Sequence, residues 1–461
     1  VFPVTLTGWN TLPYLFSLLA LLVLLLGGTL SWVSRQEREV VAARRSLLLG
    51  GGFFVALMGL AWAPWIGIIF LQIAVLAAGL AGTVYLFWPT PEPEGLSRSG
   101  AVPRVDERTV MFSRAELEPG TDRCEEYYAQ HPEHREVDDR FRRLPGLMSP
   151  RSGKYAPLSF AAAAASFKTV DRLVGLINGE PARDTVAVDR RQATQFLKQW
   201  ARKLGALEAG VTAMRSEHYY AVKGRGENYG QPVQVDHAFG LAFTVEMDHH
   251  HLGTAPEGPT LMESAQQYLN AGTIAVQLAE FIRQLGYQAE AHIDGNYRVV
   301  CPLVARDAGL GEIGRMGLLM TPRLGPRVRL GVVTTDLPLL ADPAFTDPTV
   351  LDFCALCRKC ADICPARAIP DGAPQTLDGV TRWQVNQAAC FTYWCSVGTD
   401  CGQCMKVCPY AHPDSWLHNL VRKGLARSGR FRRFALAMDD LLYGRRPGPT
   451  PLPHWIPGRG Q

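Results

Sequence analysis

The chain has 461 residues, of which 20% are charged and 47% hydrophobic, and a net charge of +4. That length allows two or three domains, and a charge so near neutral gives no basis for bulk nucleic-acid binding. Eleven cysteines could suggest disulfides, but eight fall at metal-cluster spacing, and cluster thiolates need a reducing site of assembly, so no structural disulfide is expected.

Residues 1–34 carry no charged side chain, and Leu12 to Trp32 is an almost unbroken apolar run. Crossing about 30 Å of hydrocarbon takes roughly 20 apolar residues. After a polar link from Arg35 to Arg45, Ser46 to Trp88 is again uncharged and breaks around Ala63-Pro64-Trp65. The reading is an anchor over 1–90 with three transmembrane helices near 12–33, 46–63 and 66–88, with Trp9, Trp32, Trp62, Trp65 and Trp88 as an interfacial belt. A cleaved signal peptide fits poorly, because the spans follow one another with no basic region ahead of them and no twin-arginine signal. Arg35, Arg38, Arg44 and Arg45 in the link, with Arg98, Arg104 and Arg108 after the third span, predict an N-terminus outside and all that follows Trp88 in the cytoplasm.

Pro89-Thr-Pro-Glu-Pro-Glu-Gly is a stiff exit from the membrane. From there to about 150 the chain is charged and interrupted by proline, with little periodicity. Residues 155–340 read as α/β. His237–Val245 alternates as a strand, Ala271 to Leu285 repeats at helical spacing before Gly286, and Val328–Val333 is a strand with Arg329, Gly331 and Val333 on one face. His249-His250-His251 reads as a polar loop, since three adjacent His cannot easily face one ion. Gly309-x-Gly311-x-x-Gly314 matches the dinucleotide fingerprint as a string, yet no strand leads into it and no acidic residue follows at the required distance. It is read as a Gly-rich turn, with Gly317 beyond it, that brings backbone close to a large flat or anionic group.

A Pro-rich link over 338–348 leads to the cysteine segment, 341–415. Cys354-x2-Cys357-x2-Cys360-x3-Cys364-Pro and Cys401-x2-Cys404-x3-Cys408-Pro have the spacing of a ferredoxin-like domain holding two 4Fe–4S clusters. Four-Cys zinc sites instead show two separated Cys-x2-Cys pairs. The second cluster needs one more ligand, and spacing alone allows Cys390 or Cys395. The tail, 416–461, carries nine Lys/Arg against Asp439 and Asp440. It reads as a solvated basic surface around an amphipathic helix, with contact to an anionic leaflet as the alternative.

Several runs resemble the corrinoid- and iron–sulfur-dependent reductive dehalogenases, in family order over about 105–455. They include Asp138-Asp-Arg-Phe-Arg-Arg-Leu-Pro-Gly-Leu, Phe243-Thr-Val-Glu-Met-Asp and Ala308-Gly-Leu-Gly-Glu-Ile-Gly-Arg-Met-Gly. Gly325-Pro-Arg-Val-Arg-Leu, Asp400-Cys-Gly-Gln-Cys-Met-Lys-Val-Cys-Pro and Met438-Asp-Asp-Leu-Leu-Tyr-Gly continue the series. The resemblance implies a nitroreductase-like α/β domain over 91–340 that binds a cobalamin-type corrinoid, with Gly309, Gly311, Gly314 and Gly317 as cofactor-binding residues. It implies Tyr268 as catalytic proton donor, Arg329 as its partner and Asn296 as a further pocket residue. It favours Cys390 over Cys395 and gives Cys354, Cys357, Cys360, Cys364, Cys390, Cys401, Cys404 and Cys408 as metal ligands. A guanidinium beside Tyr268 would favour its phenolate and ease proton delivery. The implied substrate is a small organohalide, the electron donor a quinol or a ferredoxin, and the further partner membrane lipid rather than nucleic acid. Members of this family commonly carry a twin-arginine leader and use a separate three-span anchor. A fused anchor without that leader suggests a multi-pass protein of the cytoplasmic membrane with its catalytic part inside.

Two other readings compete. A relative of epoxyqueuosine reductase would share corrinoid and clusters but uses an acidic proton donor and has no reason for three spans. A non-catalytic membrane ferredoxin would leave the α/β region unexplained.

Overall fold

The computed structural model describes residues 11–63, 68–93, 95, 102–344 and 347–457. Trp9, Pro64, Trp65 and Arg98 lie outside them. The chain divides into two compact units, Val1–Pro91 with Ser415–Thr450 and Glu92–Asp414 with Pro451–Gln461. In the first, helices α1 (Leu12–Gln36), α2 (Val40–Trp62) and α3 (Ile68–Phe87) are each long and apolar enough to cross a membrane. The second begins at Val40, ahead of the expected Ser46, so Arg44 and Arg45 lie on the helix and the link shrinks to Glu37–Glu39. Absence of charge marks what a bilayer can cover, whereas Ala and Arg extend a helix beyond it. Helices α1 and α2 meet backbone to backbone, since a Cβ added at Gly27 would stand 2.8 Å from Gly50 Cα. Small buried neighbours (Ala20, Ser31, Ala42, Ser46) let this approach happen.

The second unit opens with helices where irregular chain was expected: α4 (Met111–Ala115), α5 (Asp122–Gln130) and α6 (Pro132–Arg142). They are short and polar, so periodicity could not reveal them. Caps and one buried network make them: the Thr121 side chain accepts from Cys124 N, and Pro132 starts α6. Asp138, fully buried, pairs with Arg114 and accepts from Tyr128 Oη at 2.9 Å.

Next come α7 (Pro157–Leu173), α8 (Arg190–Lys203), β1 (Glu208–Ala213), β2 (Phe239–Glu246), α9 (His249–Gly253) and α10 (Gly258–Gln284). Then follow β3 (Ala289–His292), α11 (Cys301–Asp307), β4 (Glu312–Ile313), β5 (Leu319–Met320) and β6 (Val328–Thr335). Four strands form an antiparallel sheet in the order β1-β2-β6-β3. Alternation gives it two apolar faces. Leu241, Phe243, Val245 and Val333 pack with Ile274, Leu278 and Ile282 of α10, while Ala242 and Val332 pack with Val304 and Ala305 of α11. Residue 331 must be glycine, because Phe243 lies across it and a Cβ there would stand 2.2 Å from the ring's Cζ. Gly331→Val is expected to destabilise the sheet by ~1–3 kcal/mol through overpacking, read as a lower melting temperature of the loaded protein.

The triple histidine is not a loop. Asp248 caps α9 by accepting from His251 N at 2.8 Å. Helix α10 starts at Gly258, so Tyr268 lies well inside it.

The cysteine segment adds α12 (Pro348–Cys357), α13 (Lys359–Ile363), β7 (Gln375–Leu377), β8 (Val380–Arg382), α14 (Gln387–Val397) and α15 (Gln403–Lys406). It falls in the same compact unit as the α/β region, Glu92–Asp414. Two side chains show why. Asp342, in the expected linker, accepts from Val211 N at 2.7 Å and pairs with Lys198. Arg315, 2% exposed, donates to Cys354 O at 3.0 Å and Pro370 O at 2.7 Å.

The tail is two helices, α16 (Trp416–Arg427) and α17 (Gly429–Leu442), and both belong to the first unit. They are not merely solvated. His418 meets Glu37 at 3.0 Å, Arg45 donates to Leu441 O at 2.9 Å, and Gly429 N donates to Thr90 Oγ1 at 2.8 Å. Phe431 packs on Phe87 with ring centroids 4.9 Å apart. The pair thus touches both the α1–α2 turn and the end of α3.

Candidate active site and cysteine centre

Arg329 is aimed by the strand register. It pairs with Val245 on the face of β6 that carries Val333, and that face packs against α10. A cation there needs partners. Helix α10 supplies two of them one turn apart: Arg329 donates to Ser264 Oγ, and its Cζ lies 4.5 Å from the centroid of the Tyr268 ring. A third comes from the loop after α14, where Asp400 Oδ2 accepts from Arg329 at 3.2 Å. Arg329 Nε and Asp400 Oδ1 are buried with no partner. Both side chains lie deep in the unit, yet Arg329 keeps 16% and Asp400 14% of its area accessible. Both thus keep some accessible area at depth, and the orphaned buried polar atoms there call for a ligand or water.

Arg329 is the largest influence on Tyr268 and pulls its pKa down. Burial, with Asp294 and Asp400, outweighs that pull and leaves Tyr268 above its ordinary value. The guanidinium thus pulls toward the phenolate as expected, but the surroundings hold Tyr268 as the phenol. Burial also raises Asp294 and Asp400.

Asn296 is in the loop after β3. Its Oδ1 accepts from Lys223 Nζ at 3.3 Å, and Lys223 also donates to Tyr297 O at 2.8 Å. Lysine only donates, which fixes the amide with Oδ1 toward Lys223 and Nδ2 away from it. Tyr297 feels both Tyr268 and Asp294, so Asn296 and Tyr268 belong to one neighbourhood. Sequence reasoning missed Lys223, Asp294 and Asp400, although Asp400 flanks a motif cysteine.

The glycines make turns: φ is +82° at Gly309 and +75° at Gly317. A Cβ at Gly311 would stand 2.3 Å from Met320 O, and one at Gly314 2.7 Å from Met320 Cγ and 3.5 Å from Cys354 Sγ. The close approach at these two positions is to the chain's own β5 and to a motif cysteine, rather than to an open surface.

Eight of the cysteines lie within electrostatic range of one another. Cys408 is in electrostatic range of Cys354, Cys357 and Cys360. Cys404 senses Cys401, then Cys360, Cys390 and Cys364. The last cysteine of each run, Cys364 or Cys408, thus lies within range of cysteines beyond its own run. Burial pushes the Cys357, Cys360 and Cys390 thiols up to about 12 and Cys401 to about 11. Such sulfurs become thiolates only when soft cations replace their protons. Cys395 packs instead with Met111, Phe141 and Phe391, and burial alone acts on it.

No protein-family model matches the chain. Over 211 residues, 44% of the chain, it is 35% identical to the tetrachloroethene reductive dehalogenase of Sulfurospirillum multivorans, of which the match covers 41%. Over that stretch the chain is similar to the reductive dehalogenases. The catabolic reductive dehalogenase NpRdhA, solved in complex with 3-bromo-4-hydroxybenzoic acid, superposes with a TM-score of 0.62 at 25% identity, over 81% of this chain and 54% of that one. The chain spans about half the length of the relatives that it matches. Epoxyqueuosine reductase of Pseudomonas aeruginosa is a more distant relative, 24% identical over 228 residues, 43% of the chain and 61% of that protein.

Proposed function

We propose that this chain is the membrane-anchored catalytic and electron-transfer part of a reductive dehalogenase acting on a small organohalide. One observation carries the reading: Tyr268, Arg329 and Asp400 meet at depth with residual accessible area, one residue from a double set of cysteines. That donor set suits two 4Fe–4S clusters, one on Cys354, Cys357, Cys360 and Cys408, the other on Cys364, Cys390, Cys401 and Cys404. The space beside Tyr268 and Arg329 is the candidate corrinoid and substrate site, with the turn at Gly309–Gly317 as a contact. A bound corrinoid supplies the low-potential electrons for carbon–halogen cleavage.

The chain's own residues do the rest. Replacing halogen by hydrogen takes two electrons and one proton and releases halide. Tyr268, held as phenol, gives that proton to carbon. Arg329, over the ring face, offsets the charge left on its oxygen. Asn296, with Oδ1 held by Lys223, offers its Nδ2–H to the substrate. Reducing equivalents come from a quinol or a ferredoxin. In the anchor, α1–α3 cross the bilayer, and Arg35, Arg38, Arg44 and Arg45 gather with the basic α16–α17 pair at one end. That end would be cytoplasmic, as would residues 92–414.

Anaerobically loaded protein is expected to hold about eight irons, two cubes' worth, and a base-off corrinoid, and to release halide with a reduced viologen. Failure to bind corrinoid would defeat the reading. Protease added to intact spheroplasts should leave the cysteine segment uncut, and cleavage there would reverse the orientation.

A further inference from the structure

Three cations stand in the neighbourhood of Tyr268 and Asn296: Arg329, Lys223 and Arg225. Each already has a carboxylate. Arg329 pairs with Asp400 at 3.2 Å. Lys223 and Arg225 share Glu107, at 3.5 and 3.4 Å, with side-chain exposures of 9% and 12% against 2% for Glu107. Asp294 acts on both Arg225 and Arg329, and the half-exposed Glu116 reaches Arg225 at 3.9 Å. The donors of Lys223 are also taken, by Asn296 Oδ1, Tyr297 O and Glu107. The carboxylates in contact with these cations, Asp400, Glu107 and Glu116, match them one for one. An anionic substrate entering here would lose its water and find no uncompensated cation, which is a costly state for a buried charge.

We infer that the site selects uncharged organohalides, and that Glu107 sets this preference by neutralising Lys223 where it holds Asn296. This rests on the dehalogenase reading above. Glu107 is poised to be tested, because it also accepts from Gly224 N at 2.8 Å. Glu107→Gln keeps that acceptor while deleting the charge. It would leave Lys223 and Arg225 as cations in search of an anion.

The probes are trichloroacetamide and trichloroacetate, nearly equal in shape and different in charge. Their dissociation constants would be measured at one pH, by anaerobic calorimetry on the full chain with clusters and corrinoid loaded and oxidised. The expected wild-type preference for the amide is about tenfold or more, and Glu107→Gln should narrow or invert it by on the order of tenfold, the scale of losing one partner of a buried pair. Lys223→Met, which leaves Glu107 the less compensated, should widen it. Glu107→Asp, which retains the charge, should restore the wild-type ratio. A wild type that binds trichloroacetate as tightly as the amide, or a ratio indifferent to both the Glu107→Gln and Lys223→Met changes, overturns the inference while halide release from other organohalides leaves the dehalogenase reading standing. Absence of both corrinoid binding and halide release overturns the two together.

Discussion

Tyr268→Phe is expected to lower turnover by roughly 10²–10⁴-fold, the range for a positioned general acid, with iron and corrinoid content and substrate affinity unchanged. The variant keeps the ring on which Arg329 stacks, and it leaves Ser264 and Asp400 in place to hold the guanidinium. The loss would therefore report the missing O–H rather than a collapsed site. Steady-state kinetics and metal analysis on the same preparation check both halves, and a variant as active as wild type would remove Tyr268 from the mechanism. The balance of influences on the phenol adds a pH signature. Burial, Asp294 and Asp400 overcome the pull of Arg329, so the proton stays on Tyr268 through the neutral range. Any alkaline fall in kcat that Tyr268 causes should lie above about pH 10, the ordinary tyrosine value.

Cys390→Ser is expected to cost one whole cluster, bringing iron from about eight to about four per chain, whereas Cys395→Ser should keep both. The two cysteines are five residues apart on α14, so they leave the helix axis in different directions. One faces Cys401 and Cys364, and the other faces Met111 and Phe141. Iron analysis and the low-temperature EPR spectrum of the reduced proteins decide it. A full iron complement in Cys390→Ser with loss in Cys395→Ser would exchange the two assignments.

What the sequence could show follows from how far each signal reaches. Strands β2 and β6 and the C-terminal half of α10 are legible because every second or every third-to-fourth residue is apolar over a long enough window. Arg329 stands out as a charge on such a strand. Helices α4 to α6 are not legible, since they are short and polar and are held by caps and by buried Asp138. Spacing within a cysteine run constrains three ligands on one loop but cannot choose between Cys390 and Cys395, because that choice depends on which side of a helix is buried. Glu107, Lys223 and Asp400 escape for a related reason. Each matters through a partner remote in sequence, and charge pairs carry no periodicity. The link between spans one and two was drawn too long, because charge shows where lipid ends and not where a helix does.

In the proposed ligand set, the exchange of cysteines between the two runs makes 354–408 a closed shackle with two pins, Cys364 and Cys408, each seated in the opposite arm. A fragment that stops before Cys408 cannot complete the first group, although it contains the whole of the first motif. Loosening either arm would strip sulfur from both groups at once. Loss of the centre should accordingly be all-or-none when the polypeptide itself opens there, even though removing a single non-crossing thiol such as Cys390 empties only one side.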